Sequence, residues 1–424
     1  MLCSFFYTKV SETVMIEVHY KYIYIYRIGG HHMEEFTKVV DRLNTNCIKW
    51  DQRKEIFQTD SEELLPLWIA DMDFPAPKEV NEALIKRAKH GIYGYTYIPD
   101  STKQQVINWL LERHDWDVQP NAFIFSPSVI TSLYNAITTF TNKGDRILIQ
   151  TPVYTPFFNV IEEAGREIVT NPLYDNGTSY EIDFDDLEKK MQDGVKAFVL
   201  CSPHNPVGRV WTREELTKIA NLALQYNVLI LSDEIHADLV FAPHKHIPIA
   251  SLSEKISDQT ITLMSPTKTF NLAGLQISYA ITTCKHKRRK LANALAIQGF
   301  RSLNTMGIVA LDAAYRHGHR WLEELLHIVE KNKQYVLGRL QEETNGKVRV
   351  YDAEGTYLLW IDFSKLGFED QQLQRFLIDK AKVGLNAGSS YGKDGEQFMR
   401  INIACHRETL KEAIDRIVNA IKEV

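Results

Sequence analysis

The sequence predicts an α/β protein: a mostly parallel sheet covered by helices on both faces, joined to a smaller α+β lobe. Two observations carry this. Apolar runs of strand length recur at 123–125, 146–150, 197–201, 228–232, 260–264 and 277–282, and helical patterns such as 130–140, 212–226 and 287–297 lie between several of them. Strands that read as continuous apolar runs are those buried on both faces, which alternation with helices delivers in a parallel sheet. From residue 321 the pattern changes, with a long helix at 321–341, strands at 348–351 and 356–362, a helix at 371–381, a strand at 398–404 and a closing helix at 410–421. A chain of 424 residues is too long for one small core, in keeping with two lobes.

Taken in order, residues 1–32 differ from the rest and read as an extension outside the core. Tyr20, Tyr22, Tyr24 and Tyr26 alternate with strand period, and Gly29-Gly30-His31-His32 then leads to Met33, where the functional chain is expected to begin. Charged residues interrupt the extension too often for a secretory signal. Residues 33–77 open with an amphipathic stretch at 34–43 and contain the apolar run 65–70, which ends at Asp71, Asp73, Pro75 and Pro77. This segment is expected to complete the small lobe. Helical spacing follows from Pro77 to His90, with Gly91 as its stop, and then an aromatic loop, Tyr93-Gly94-Tyr95-Thr96-Tyr97. The large lobe is expected to span 78–320 and the small one 321–424.

Composition excludes several classes. A net charge of −5 with interspersed signs leaves no nucleic-acid footprint, and Lys285-His286-Lys287-Arg288-Arg289-Lys290 reads as a solvated helix start. No apolar run approaches a membrane span. The five cysteines are scattered without a C-x-x-C pair, which fits reduced thiols in a cytoplasmic protein, and no metal-ligand spacing is present.

The polar residues of interest fall just past the strand ends, where open α/β sheets bind ligands. Ser265-Pro266-Thr267-Lys268 follows the run 260–264 directly. A lysine fixed at an element end and partly desolvated makes a useful nucleophilic amine, although the same pattern also describes a solvated turn lysine. Ser126-Pro127-Ser128-Val129-Ile130 precedes a helix whose first N–H groups suit a phosphate, or Ser128 simply caps it. Tyr154 could stack on a planar ligand or pack in the core. Asn205 lies in Pro203-His204-Asn205-Pro206-Val207-Gly208, a non-helical loop or plain turn, and Asp233 ends an apolar strand, either as a partner for a protonated ring nitrogen or as a turn residue.

Jointly, Tyr154, Asn-Pro-x-Gly at 205–208, Asp233 and Ser-x-Thr-Lys at 265–268 resemble the fold-type-I pyridoxal 5′-phosphate enzymes of the aspartate aminotransferase superfamily. Trp68 to Phe74, His90-Gly91-Ile92-Tyr93-Gly94-Tyr95 and Ser232-Asp233-Glu234-Ile235-His236 look like the MalY/PatB class of carbon–sulfur β-lyases within it. The resemblance covers Met33 to Val424 and implies a mixed, mostly parallel seven-stranded sheet. It implies that Lys268 carries the cofactor and moves the substrate Cα proton. Asp233 would hold the pyridinium, Asn205 contact the ring oxygen, Tyr154 stack on the ring and His236 lie near that oxygen. Val129, Ile130, Ser265 and Thr267 would hold the phosphate, helped by Tyr95 from a second subunit of a homodimer. Arg400 would grip the substrate carboxylate, with Ala70 and Asp71 beside it.

One departure favours a lyase: position 276, where many aminotransferases of the superfamily keep an arginine, is Gln276, and an amide does not replace the guanidinium charge. The implied activity is cleavage of L-cystathionine or L-cysteine to a thiol, pyruvate and ammonia. Two alternatives stay open, an aminotransferase and a protein that contacts a transcription regulator.

Overall fold

The structure, a computed structural model, describes residues 9–10, 13–18, 21–25 and 34–424. Its centre is a seven-stranded sheet ordered Phe123–Ser126, Ser278–Ile281, Thr260–Met264, Leu229–Asp233, Ala197–Cys201, Arg146–Ile149, Glu167–Thr170. The last five in that order pair in parallel; Ser278–Ile281 runs against both its neighbours. Two reversals return Phe123–Ser126 to the direction of the parallel set. The loops after Ser126, Ile149, Cys201, Asp233 and Met264 therefore leave the sheet at one edge.

Alternation along the strands explains why both faces are covered. Ile147, Ile149, Ala197, Val199, Leu229 and Leu231 pack in the core on one side, and Leu148, Phe198, Leu200 and Ile230 in the core on the other. Successive side chains point to opposite faces, so a strand between two helical layers must be apolar throughout. The helices Val129–Phe140 and Lys285–Ile297 supply residues to the first core and Arg213–Gln225 to the second.

A second, four-stranded antiparallel sheet is ordered Arg349–Val350, Leu358–Asp362, Phe398–Asn402, Asn386–Ala387. The long helix His319–Glu343 and the closing helix Arg407–Lys422 pack with it in one core. In the N-terminal segment, Leu65–Pro66 pairs in parallel with Val383–Gly384, and Asp73 N–H donates to Ala404 O at 2.9 Å. Only Glu34–Thr37 of the amphipathic stretch at 34–43 is helical.

In the extension, Lys9–Val10, Thr13–Val18 and Lys21–Ile25 form an antiparallel three-stranded sheet, in line with the alternation read there. Tyr20, Tyr26, the stretch 29–32 and Met33 lie outside the described residues. Among those described, no helix is long and apolar enough to cross a membrane.

Candidate active site

The loops at the common strand edge enclose a cavity of about 250 Å³. Lys268 enters it from a single helical turn, Pro266–Thr269, placed immediately after strand Thr260–Met264. Ser265 caps that turn by accepting the Thr267 N–H at 3.1 Å, while its own hydroxyl donates to Ile277 O at 2.7 Å. Proline in the first helical position needs no hydrogen-bond partner there, so Ser-Pro-Thr-Lys starts a turn cleanly. Lys268 Nζ donates to Ala70 O at 2.6 Å. Burial, then the nearby Arg400 charge, push its pKa down to about 8, with Asp71 and Asp233 opposing.

Asp233 lines the same cavity as the last residue of its strand and is 4 % exposed. Burial pushes its carboxyl up to about 7 and the neighbouring Glu234 adds to this; the Ile235 N–H, accepted at 3.1 Å, and Lys268 work the other way. A carboxyl in this state is poised to ionise fully once a cation sits opposite it.

The cavity also meets a helix N-terminus. Val129 and Ile130 line the cavity as the first residues of helix Val129–Phe140, whose opening N–H groups have no acceptor within the helix. Ser128 is indeed the cap, accepting the Thr131 N–H at 3.1 Å. Ser265 and Thr267 bring hydroxyls to the same cavity, and Gln276 lines it from a left-handed backbone position (φ 50°).

Tyr154 and the buried Asn205 also line the cavity. Asn205 Oδ1 accepts from Arg400 Nη1 at 3.1 Å, and Arg400 Nη2 donates to Trp68 O at 2.8 Å. Arg400 is 2 % exposed, and its Nε has no partner among the described residues, so the guanidinium keeps donor capacity for an acid. Gly208 explains the Asn-Pro-x-Gly spacing: its φ is 76°, and a Cβ there would lie 2.5 Å from Ala353 Cβ in the small lobe. His236 lines the cavity with Nδ1 unpartnered, and burial, then the Lys268 and Arg400 charges, drive its pKa down to about 3, leaving a neutral ring.

Ala70, Val129, Ile130, Tyr154, Asn205, Asp233, His236, Ser265, Thr267 and Lys268 thus meet in one cavity. Three of the residues selected from sequence do not line it: Asp71, Tyr95 and Arg400, the last of which touches the lining through Asn205. The Asp71 carboxylate is held by Arg42 at 3.0 and 2.7 Å and does not line the cavity, because a guanidinium from the N-terminal segment claims both its oxygens. Tyr95 is fully exposed on its loop and reaches nothing in this chain's cavity. Sequence reasoning also passed over two supports of the Ala70 wall. Tyr357 OH donates to Ala70 O at 3.0 Å from within an apolar strand region that gave no signal. Asn271 (φ 57°) accepts the Met72 N–H at 3.0 Å and donates to Met72 O and Phe74 O at 3.0 and 2.8 Å. An asparagine just past the lysine turn was the available hint, since Asn tolerates the left-handed region.

The family model described as aminotransferase class I and II matches residues 62–417. The chain belongs to the class I and II aminotransferase family. Among relatives of this aminotransferase-family chain, cystathionine β-lyase PatB of Bacillus subtilis is 44% identical over 387 residues, covering 91% of this chain and 99% of PatB. Cystalysin from Treponema denticola, solved with pyridoxal 5′-phosphate, superposes with a TM-score of 0.90 at 34% identity, covering 92% of this chain and 99% of that one. The pyridoxal-phosphate-bound C–S lyase from Staphylococcus hominis gives a TM-score of 0.84 at 32% identity, covering 91% and 97%. The family's fold is thus the one derived above from strand pattern.

Proposed function

We propose that this chain is a pyridoxal-phosphate-dependent carbon–sulfur β-lyase that cleaves L-cystathionine, L-cysteine or related S-conjugates to a thiol, pyruvate and ammonia. The carrying observation is a lysine of lowered pKa, a buried aspartate and a helix N-terminus lining one cavity. The relatives named cystathionine β-lyase and C–S lyase support the reaction type.

The residues fit pyridoxal phosphate. A buried carboxyl with a raised pKa is costly to keep without a cationic partner, and a pyridinium nitrogen is such a partner for Asp233. The unpaired first N–H groups of the Val129 helix, with Ser265 and Thr267, suit its phosphate. Tyr154 offers a ring face, and Asn205 and His236 are polar side chains near where a phenolic oxygen would sit.

When bound, pyridoxal phosphate supplies an electron sink that allows the substrate Cα–H and Cβ–S bonds to break in turn. The residues of this chain do the remaining work. Arg400 binds the α-carboxylate, exchanging its contact with Asn205 or adding one through Nε. Lys268 Nζ takes the Cα proton, which a pKa of about 8 permits at neutral pH because a modest deprotonated fraction is present. The Ala70 carbonyl, 2.6 Å away, holds Nζ on the cavity side of the turn. Asp233, sealed from water in the same cavity, would ionise opposite the cofactor's ring nitrogen. Departure of sulfur as a thiol, with water consumed, accounts for pyruvate and ammonia.

The exposed loop carrying Ile92, Tyr93, Tyr95 and Tyr97, together with exposed Ile297, supports a homodimer in which Tyr95 serves the partner's phosphate end. The cysteines that the structure describes, Cys47, Cys201, Cys284 and Cys405, are all free thiols, in keeping with a cytoplasmic enzyme. The reading divides the chain into lobes at 78–320 and 321–424, the second joined by 33–77, and the two separate sheets support that division.

Product analysis tests the reading. Given cystathionine alone, the enzyme is expected to release homocysteine, pyruvate and ammonia over many turnovers. Arrest after a single turnover per site, relieved by adding 2-oxoglutarate, would make it an aminotransferase instead.

A further inference from the structure

Lys268 sits on a turn of only four residues, Pro266–Thr269, closed by the Phe270 N–H to Pro266 O bond at 2.9 Å. One helical turn is too short to hold a side chain's aim by itself. Its start is fixed by the Ser265 cap; what fixes its end is a buried carboxylate. Thr269, directly after Lys268 and wholly buried, donates its hydroxyl to Asp238 Oδ2 at 2.8 Å. The other oxygen, Asp238 Oδ1, accepts Trp109 Nε1 at 2.9 Å and His114 Nε2 at 3.0 Å. Trp109 and His114 belong to one helix, Asp100–His114, behind the active site. Asp238 itself lies on the loop that leaves the strand ending in Asp233. One carboxylate, 6 % exposed, therefore joins the lysine turn, the aspartate loop and a supporting helix.

The charge state suits this role. Burial raises the Asp238 pKa, but His114, the Arg113 charge and the Thr269 hydroxyl together outweigh it and hold the group at about 2. Burial lowers the His114 pKa, so a neutral ring donates. The charges that shift the Lys268 pKa are those of Arg400, Asp71 and Asp233; the link from Asp238 to Nζ runs through Thr269.

We propose that Asp238 is a positioning residue for the reaction of Lys268, fixing through the Thr269 hydroxyl the rotation of the turn that aims Lys268 Nζ at the substrate Cα. This rests on the assignment of Lys268 made above. The competing account is that apolar packing alone holds the turn, since Phe270 is wholly buried and meets Trp109 edge-to-face at 5.4 Å.

A pair of substitutions separates the two. Thr269→Val keeps the shape and loses the hydroxyl; Thr269→Ser keeps the hydroxyl and loses a methyl. In the holoenzyme, Thr269→Val is expected to lower kcat about tenfold or more with KM within about twofold, because small misplacements of a reacting group are costly. Its amides at 267–270 should exchange hydrogen faster than in wild type. Thr269→Ser should keep kcat within about twofold and exchange unchanged. Asp238→Asn should follow Thr269→Val, and the threonine pair stays decisive if that variant does not fold. Wild-type kcat and exchange in Thr269→Val, or equal losses in both threonine variants, would overturn the proposal. Borohydride reduction and peptide mapping of the wild type keep the two layers apart. Cofactor found on another lysine overturns the Lys268 assignment together with this proposal, whereas cofactor on Lys268 beside an unimpaired Thr269→Val overturns the proposal alone.

Discussion

Asp233 and Lys268 share a cavity in which burial drives each toward its neutral form, the acid upward to about 7 and the amine downward to about 8. For Asp233 the consequence can be measured in the ligand-free protein. Its folded pKa stands above its ordinary 3.8, so between these values the folded state binds more protons than the unfolded one. Stability then falls as pH rises through that window. Asp233→Asn removes the titration. Urea midpoints of the ligand-free proteins at about pH 5 and about pH 8 should show the variant gaining on wild type at the higher pH, even though its turnover is lost for want of a charge opposite the ring. A gap between the two proteins that stays constant with pH would mean that Asp233 is ionised in the empty cavity.

The stretch 68–74 forms the wall that presents Ala70 O to Lys268, and it is held by polar contacts along its length. Asn402 Nδ2 donates to Ile69 O and Asp71 O at 2.8 and 2.5 Å, and Asn271 secures Met72 and Phe74. Charge closes the other side. Arg42 pairs with Asp71 and Asp73 at 2.7 Å each, and the wholly buried Lys49 meets Asp73 at 3.0 Å. Burial raises the Asp73 pKa, but the Lys49 and Arg42 charges outweigh it and the carboxyl stays ionised. Removing one member of such a cluster leaves a buried charge under-compensated. Lys49→Met should therefore cost about 3 kcal/mol of unfolding free energy by urea titration, and it should loosen the wall enough to reduce turnover in the folded fraction. A loss below about 1 kcal/mol would place Lys49 among surface-type pairs.

The molecule as a whole presents an aromatic loop to solvent that its own cavity does not use. Ile92, Tyr93, Tyr95 and Tyr97 are all exposed on one loop. Lone exposed apolar residues need no explanation, but a contiguous group does. If Tyr95 serves a second subunit's phosphate end, as proposed, Tyr95→Ala should weaken pyridoxal phosphate binding by about tenfold, as for one lost hydrogen bond to a charged group, with sedimentation giving a dimer for both proteins. Unchanged cofactor affinity in that variant would remove Tyr95 from the site.

Much of this was legible before any coordinates. Continuous apolar runs such as 197–201 and 260–264 can only be strands buried on both faces, and residues just past their ends must gather at one edge once the strands are parallel. Asn205, Asp233 and Lys268 were found on that ground, because the rule is local. The strand Glu167–Thr170 was missed for a matching reason: it lies at the sheet edge, half-exposed, and lacks the apolar continuity that marked the others. Small side chains and charges held by distant partners left no local trace at all. Arg42 reaches Asp71 across 29 positions and Thr269 reaches Asp238 across 31. Only the packed chain brings those groups together, because a hydrogen bond between remote residues depends on where two elements cross, and no periodicity along either element records the crossing.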